Sequence, residues 1–165
     1  MILHTAVVHG EARFLPAPGV VASAGAAKVL LQDPYVTEAV ALFEKVTLAL
    51  VGVGALEPSA LVAHNGNAFS QEELEALQGD GAVGDLCCRF YDAQGRELKS
   101  AFRDRVIGIG LEALRRVPRS VALGGGKRKF AALLGALRGR WVNTLITDQY
   151  TAQRLLKPIF YSFKN

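Results

Sequence analysis

The residues with the most chemical content stand together in SVALGGGKRKFAALLGALRG, Ser120 to Gly139. A short run of strand character ends in Gly124, Gly125 and Gly126. Three cations follow, Lys127, Arg128 and Lys129, and then an apolar pattern with helical spacing begins. The first N–H groups of a helix lack intrahelical partners and carry the positive end of its dipole, so they attract anions. Glycine lets an anionic oxygen come close to them. Cations in a first turn are unfavourable unless an anion compensates. The pattern therefore points to a seat for negatively charged oxygen. The alternative is a tight turn with three solvated cations. The glycine-to-lysine spacing differs from a Walker loop, which argues against a nucleoside triphosphate.

The other chemistry-bearing residues are sparser. Asp85 follows Gly84 at the start of a strand, where its carboxylate could accept sugar hydroxyls or simply end a turn. Gly52 and Gly54 close the run VGVGAL, where backbone turns or is closely approached. Asp148, after the last apolar run, reads as a helix N-cap. Asn65 and Asn67 read as turn residues, and Ser59 after Pro58 as a cap or loop residue. His4, His9 and His64 show no partner spacing. No Ser/His/Asp nucleophile arrangement is present, and no cysteine or histidine spacing suits a metal, so neither metal nor cofactor is expected. Cys87 and Cys88 are the only cysteines. As neighbours in a strand they would point to opposite faces, poorly placed to bond each other.

These residues need elements to hold them. Asp33 before Pro34 is an N-cap followed by proline at the first helical position. Val46 to Val53 is almost continuously apolar, which reads as a strand buried on both faces. Ser70 and Glu73 form a capping box ahead of Leu74 and Leu77. Leu86 to Tyr91 reads as one strand, Asp92 to Gly95 as a turn, and Val106 to Ile109 as a short strand. A helix is expected from about Lys127 to Arg138, with Phe130, Leu133, Leu134 and Leu137 on one face. Alternating strands and helices argue for an α/β fold whose mostly parallel sheet has helices on both faces. In such sheets ligands bind at the carboxyl ends of strands, which would bring VGVGAL, LGGGKRK and ITD to one rim.

At 165 residues the chain is expected to be a single domain. It is 50% hydrophobic and 21% charged, an ordinary globular balance. No apolar run reaches the ~18 residues of a membrane span, and MILHTAVVHGEARF has no signal-peptide layout, so a cytoplasmic location without membrane contact is expected. Charge is uneven. Residues 1–80 carry three cations against nine acids, net −6, and residues 81–165 carry sixteen against six, net +10. No helix-turn-helix or aromatic–basic interleaving accompanies the basic half, so direct nucleic-acid binding by this chain is not expected.

Three blocks together, VGVGALEPSALV, GAVGDLCCRFYDAQGREL and RVIGIGLEALRRVPRSVALGGGKRKFAALLGALRGRWVNTLITD, resemble the effector domain of SorC-type sugar-binding transcriptional regulators. The resemblance runs from about Phe14 to Leu156. It implies a Rossmann-like fold similar to glucosamine-phosphate deaminase and ribose-phosphate isomerase. It implies binding of a phosphorylated sugar without turnover, and a bound state that alters oligomeric assembly or the DNA affinity of an attached helix-turn-helix domain. The family's acidic residue falls on Asp85, and its Gly-Gly-x-x-Lys block on Gly125, Gly126 and Lys129. Lys127 and Arg128 fall on variable positions of that block. With Gly52 and Gly54 at the first strand end, these are the expected ligand contacts. The family's helix-turn-helix and its first strand–loop–helix have no counterpart here, and KPIFYSFKN departs from its pattern. A partial effector domain is therefore expected, reaching DNA only through a domain this chain lacks and associating with itself or with longer relatives. Two rival expectations are a sugar-phosphate isomerase or deaminase with Asp85 as base, and a dimerisation fragment without ligand.

Overall fold

A computed structural model describes residues 10–56 and 69–162. His4, His9, Ser59, His64, Asn65 and Asn67 lie outside the described residues. The N-terminal part holds two helices, α1 (Ala24–Leu30) and α2 (Pro34–Ala41), the second running into a 3-10 turn at Leu42–Lys45. Asp33 caps α2 as its sequence dictates, with its side chain accepting from Tyr35 N at 2.9 Å and Val36 N at 3.3 Å. Strand β1 (Leu48–Ala55) follows, then α3 (Gln71–Gly79), β2 (Ala82–Leu86) and β3 (Arg89–Asp92). The chain continues through α4 (Leu111–Arg116), β4 (Arg119–Leu123), α5 (Phe130–Arg138), β5 (Thr144–Ile146) and α6 (Gln149–Ser162).

The five strands form one sheet in the order β3-β2-β1-β4-β5. Its right half is parallel, with Leu48 to Gly52 against Arg119 to Leu123 and Leu123 against Ile146. Its left half is antiparallel, with Gly54 against Asp85 and Leu86 against Arg89. The sheet is thus mixed rather than mostly parallel. For β2 and β3 the reason lies at Cys87–Cys88. These residues are not the middle of a strand but a two-residue hairpin turn, with φ of 52° and 60°. Two consecutive left-handed residues are what a type I′ turn requires.

The main core forms where α5 crosses the sheet. Leu133, Ala132 and Ala136 pack with Val53, Leu86, Ala122 and Tyr91, while Phe130, Leu134 and Leu137 flank them. Gly84 permits this contact: a Cβ there would sit 2.4 Å from that of Ala132. The opposite face of the parallel half is largely exposed, with Leu48 51%, Leu50 65%, Leu123 42% and Ile146 55% exposed around a buried Val121. A β1 buried on both faces is therefore not what the described residues form, whereas the antiparallel half does carry helices on both faces, α5 on the side of Tyr91 and α3 on the side of Phe90. An unbroken apolar run cannot distinguish the two situations, since both require the same residues. Val106 to Ile109 also differs from expectation, reducing to an isolated bridge between Val20 and Val106.

A second core gathers Phe69, Leu77, Phe90 and Val106. Phe69 meets Phe90 and Phe102 edge-on at 5.2 and 5.9 Å, and the Arg105 guanidinium lies over Phe69 and Phe102. The same guanidinium pairs with Glu73 of the Ser70 capping box. That pairing, followed by the bond from Ser70 N–H, holds the Glu73 carboxyl below its ordinary range.

Candidate functional site

The pairing of β1 with β2 places Asp85 directly across from Gly54. Paired residues share a sheet face, so the carboxylate lies on the bare side of the sheet, above Leu50 and Gly52. It takes the space a side chain at position 54 would need: a Cβ on Gly54 would meet Asp85 Oδ1 at 1.8 Å. Gly54 is therefore a close-approach glycine inside the strand, which runs on to Ala55, and not a turn. Asp85 Oδ2 accepts the Cys88 N–H at 3.1 Å, so the hairpin turn aims the carboxylate. Burial pushes the Asp85 carboxyl above its ordinary value, while the Cys88 N–H and the charge of Lys129 pull it back. Asp85 keeps part of its surface open to solvent, so the crowding comes from atoms beneath and beside it.

Lys129 reaches the same point from the other direction. It closes a 3-10 turn, Lys127–Lys129, that leads into α5. Its Nζ donates to Val53 O at 2.8 Å, one residue before Gly54. The ammonium and the Asp85 carboxylate thus both sit at the end of β1 without bonding each other. Asp85 offers acceptors, and Lys129 has two further protons to donate. On the opposite face of the sheet Tyr91, fully buried, donates its hydroxyl to Ala132 O at 3.0 Å and ties β3 to α5.

The glycine corner itself differs from expectation. Gly126, at φ +86°, donates its N–H to Asp148 Oδ2 at 2.9 Å and to Thr151 Oγ1 at 2.9 Å. The chain supplies its own anion here, and the Gly126 amide is not free for a guest. Asp148 is also the N-cap of α6, as expected, accepting from Thr151 N at 2.9 Å. Three donors on one exposed carboxylate, the Thr151 hydroxyl foremost, hold its pKa at about 2. Gly125 is needed for the same grip, because a Cβ there would come 2.3 Å from Asp148 Oδ2. The N–H groups of Gly125, Lys127 and Arg128 meet no acceptor among the described residues. A cleft of about 450 Å³ opens beside this corner, with Lys127, Arg154 and Lys157 on its walls.

Of the six expected contacts, then, Asp85, Gly54 and Lys129 come together at the end of β1. Gly125 and Gly126 lie at the adjoining corner, turned toward Asp148. Gly52 sits one pleat below Gly54 with nothing near the position of its missing Cβ, and touches neither polar group. Cys88 N–H, Val53 O and Thr151 are partners that sequence reading did not name. Thr151 carried a signal, since an Asp N-cap with a threonine three residues on is a self-bonding pattern. The two main-chain groups carried none. Among the described residues no cluster of histidine, cysteine and carboxylate is placed to hold a metal ion, and no helix is long and apolar enough to cross a membrane.

Residues 4–157 match the family model described as "Putative sugar-binding domain". The chain is 37% identical over 147 residues to the deoxyribonucleoside regulator of Bacillus subtilis, covering 89% of this chain and 46% of that one. It superposes on the full-length sorbitol operon regulator SorC of Klebsiella pneumoniae with a TM-score of 0.86 at 26% identity, over 92% of this chain and 49% of that one. A transcriptional regulator of Streptococcus pneumoniae gives 0.84 at 29% identity, over 94% and 59%. The chain thus spans about half the length of the curated relatives it matches. Those relatives are transcriptional regulators, not enzymes.

Proposed function

Since this chain belongs to the sugar-binding domain family of SorC/DeoR-type transcriptional regulators, we propose that it binds a phosphorylated sugar as an effector, without turnover. The observation that carries this is the pairing at the end of β1: a carboxylate and an ammonium that flank one point without neutralising each other. A carboxylate accepts from sugar hydroxyls, and an ammonium with the unpaired Lys127 and Arg128 amides suits a phosphate. Gly125 and Gly126 shape the corner from behind by gripping Asp148. Gly54 and Gly52 keep the sheet surface low enough for a sugar ring to lie against it. Binding acts through differential affinity for two states of the regulator, since a ligand shifts an equilibrium only by that difference. The curated relatives are regulators, which favours binding over isomerase or deaminase chemistry.

Calorimetry with a panel of pentose and hexose phosphates tests the reading. One member is expected to bind saturably, with affinity falling about 10- to 100-fold in Asp85→Asn and in Lys129→Gln, the loss typical of one charged hydrogen bond. A folded chain that binds none of the panel returns the assembly-only reading, in which the domain associates with copies or relatives and takes no ligand. The uncovered apolar face of β1, β4 and β5 favours that second reading.

A further inference from the structure

At the other end of α5, roughly 13 Å along its axis, a separate cleft of about 660 Å³ lies between the turn after β3, helix α4 and the chain leaving α5. Its walls carry Arg96, Lys99, Arg103, Arg115, Arg138 and Arg140 against two acids, Glu97 and Glu112. Three of the cations are spent: Arg96 on Asp92 at 2.7 Å, Arg103 on Glu97 at 3.4 Å and Arg115 on Glu112 at 3.4 Å. Lys99, Arg138 and Arg140 meet no carboxylate within 4 Å among the described residues. Arg138 donates to Ala93 O at 2.9 Å, which fixes its head group without neutralising it.

The floor of the cleft is Trp141, 3% exposed, with the Arg115 guanidinium 4.0 Å above the ring. Its indole N–H is buried against Gly139 and has no hydrogen-bond partner among the described residues. The indole N–H is sealed beneath Gly139, so what the floor offers the cleft is the Trp141 ring with the Arg115 guanidinium stacked on it. Arg140 takes φ +53° as the residue after the C-cap of α5, in a Schellman motif where Trp141 N donates to Ala136 O at 3.2 Å and Arg140 N to Leu137 O at 3.0 Å. Helix dipoles explain part of this: Arg115 and Arg138 lie in last turns, where cations are favourable. They do not bear on Lys99 and Arg140, which are solvent-exposed cations facing the same cleft.

We propose that this cleft is a second anion site, which takes a small polyphosphate of the diphosphate class. Three uncompensated cations match the charge of such a ligand. The cleft is open and its volume lies in the range of small-molecule sites, which gives a compact anion room to enter among the three exposed cations. The site shares no residue with the Asp85–Lys129 cluster, so it stands or falls independently of the sugar-phosphate reading.

Trp141 is the only tryptophan in the chain, so its fluorescence reports on the floor of this cleft alone. The test is a titration of the protein with inorganic pyrophosphate at fixed ionic strength, followed by Trp141 fluorescence and by calorimetry. A saturable one-to-one change is expected, weakened about tenfold or more in the double variant Lys99→Gln, Arg138→Gln. Should that variant melt early, Lys99→Gln alone is measured, with a smaller loss expected in the same direction. The proposal is overturned by an absent or unsaturable signal, or by an affinity the substitutions leave unchanged. It is equally overturned if duplex DNA binds and pyrophosphate does not displace it.

Discussion

At the scale of single residues, two carboxylates have opposite fates. Asp85 is crowded into a site where its charged form is disfavoured, and its pKa is raised above 3.8. A carboxyl raised on folding costs nothing below its unfolded value, and the cost grows as pH rises through that value toward the folded one. Asp85→Asn is therefore expected to raise the melting temperature at pH 7 while weakening effector binding, and the gain should vanish below about pH 4. A lower melting temperature for this variant at pH 7 would contradict the assignment of burial as the dominant cause. Asp148 is the reverse case, lowered from 3.8 to about 2. Its contribution is present above the unfolded value and is lost as pH falls from about 4 toward 2. Acid unfolding followed by circular dichroism should show a shallower limb in that window for Asp148→Asn than for the parent chain.

At the scale of elements, the packing of α5 on the sheet is what brings Lys129 to Asp85. The helix lies so close that Gly84 has no room for a methyl group, with Ala132 Cβ at 2.4 Å and Gly54 O at 2.8 Å from the ideal position. Gly84→Ala is expected to cost about 1–3 kcal/mol in urea unfolding, the usual cost of an overpacked core. It should also weaken effector binding, because the helix can yield only by carrying Lys129 away from Val53. Stability within about 0.5 kcal/mol of the parent would mean that α5 sits farther from the sheet in solution. The hairpin at Cys87–Cys88 works on the same scale. It reverses the chain so that β3 returns beside β2, and its second amide holds the carboxylate.

At the scale of the whole molecule, one face of the sheet is packed by α5, and the other carries the Phe90 core over its antiparallel half and is largely exposed over its parallel half, with Asp85 where the two meet. Leu50 and Ile146 are 65% and 55% exposed there. Charges at such positions cost little when the surface is truly open. The double variant Leu50→Lys, Ile146→Lys is expected to keep its stability within about 1 kcal/mol and to associate less in sedimentation velocity. A loss of several kcal/mol would instead show that the face is covered in solution. The charge distribution belongs to this scale too: the basic excess of residues 81–165 is spread over the corner at Lys127 and the cleft at Arg138, at opposite ends of one helix.

Whatever rests on neighbours in the chain was legible from sequence. Asp33, Ser70 and Asp148 cap the helices that follow them because capping joins a side chain to an amide only two or three residues on. The α5 stripe and the Asp92 turn were equally readable, whereas Asp85 and Lys129 were singled out by family resemblance. Tertiary structure decided what depends on distant partners. That Gly54 admits the Asp85 carboxylate, that Gly126 spends its amide on Asp148, and that an unbroken apolar strand leaves Leu48 and Leu50 uncovered are facts of register and packing. Hydrophobicity states what a residue prefers to bury, and only the arrangement of the other elements determines whether anything is there to bury it.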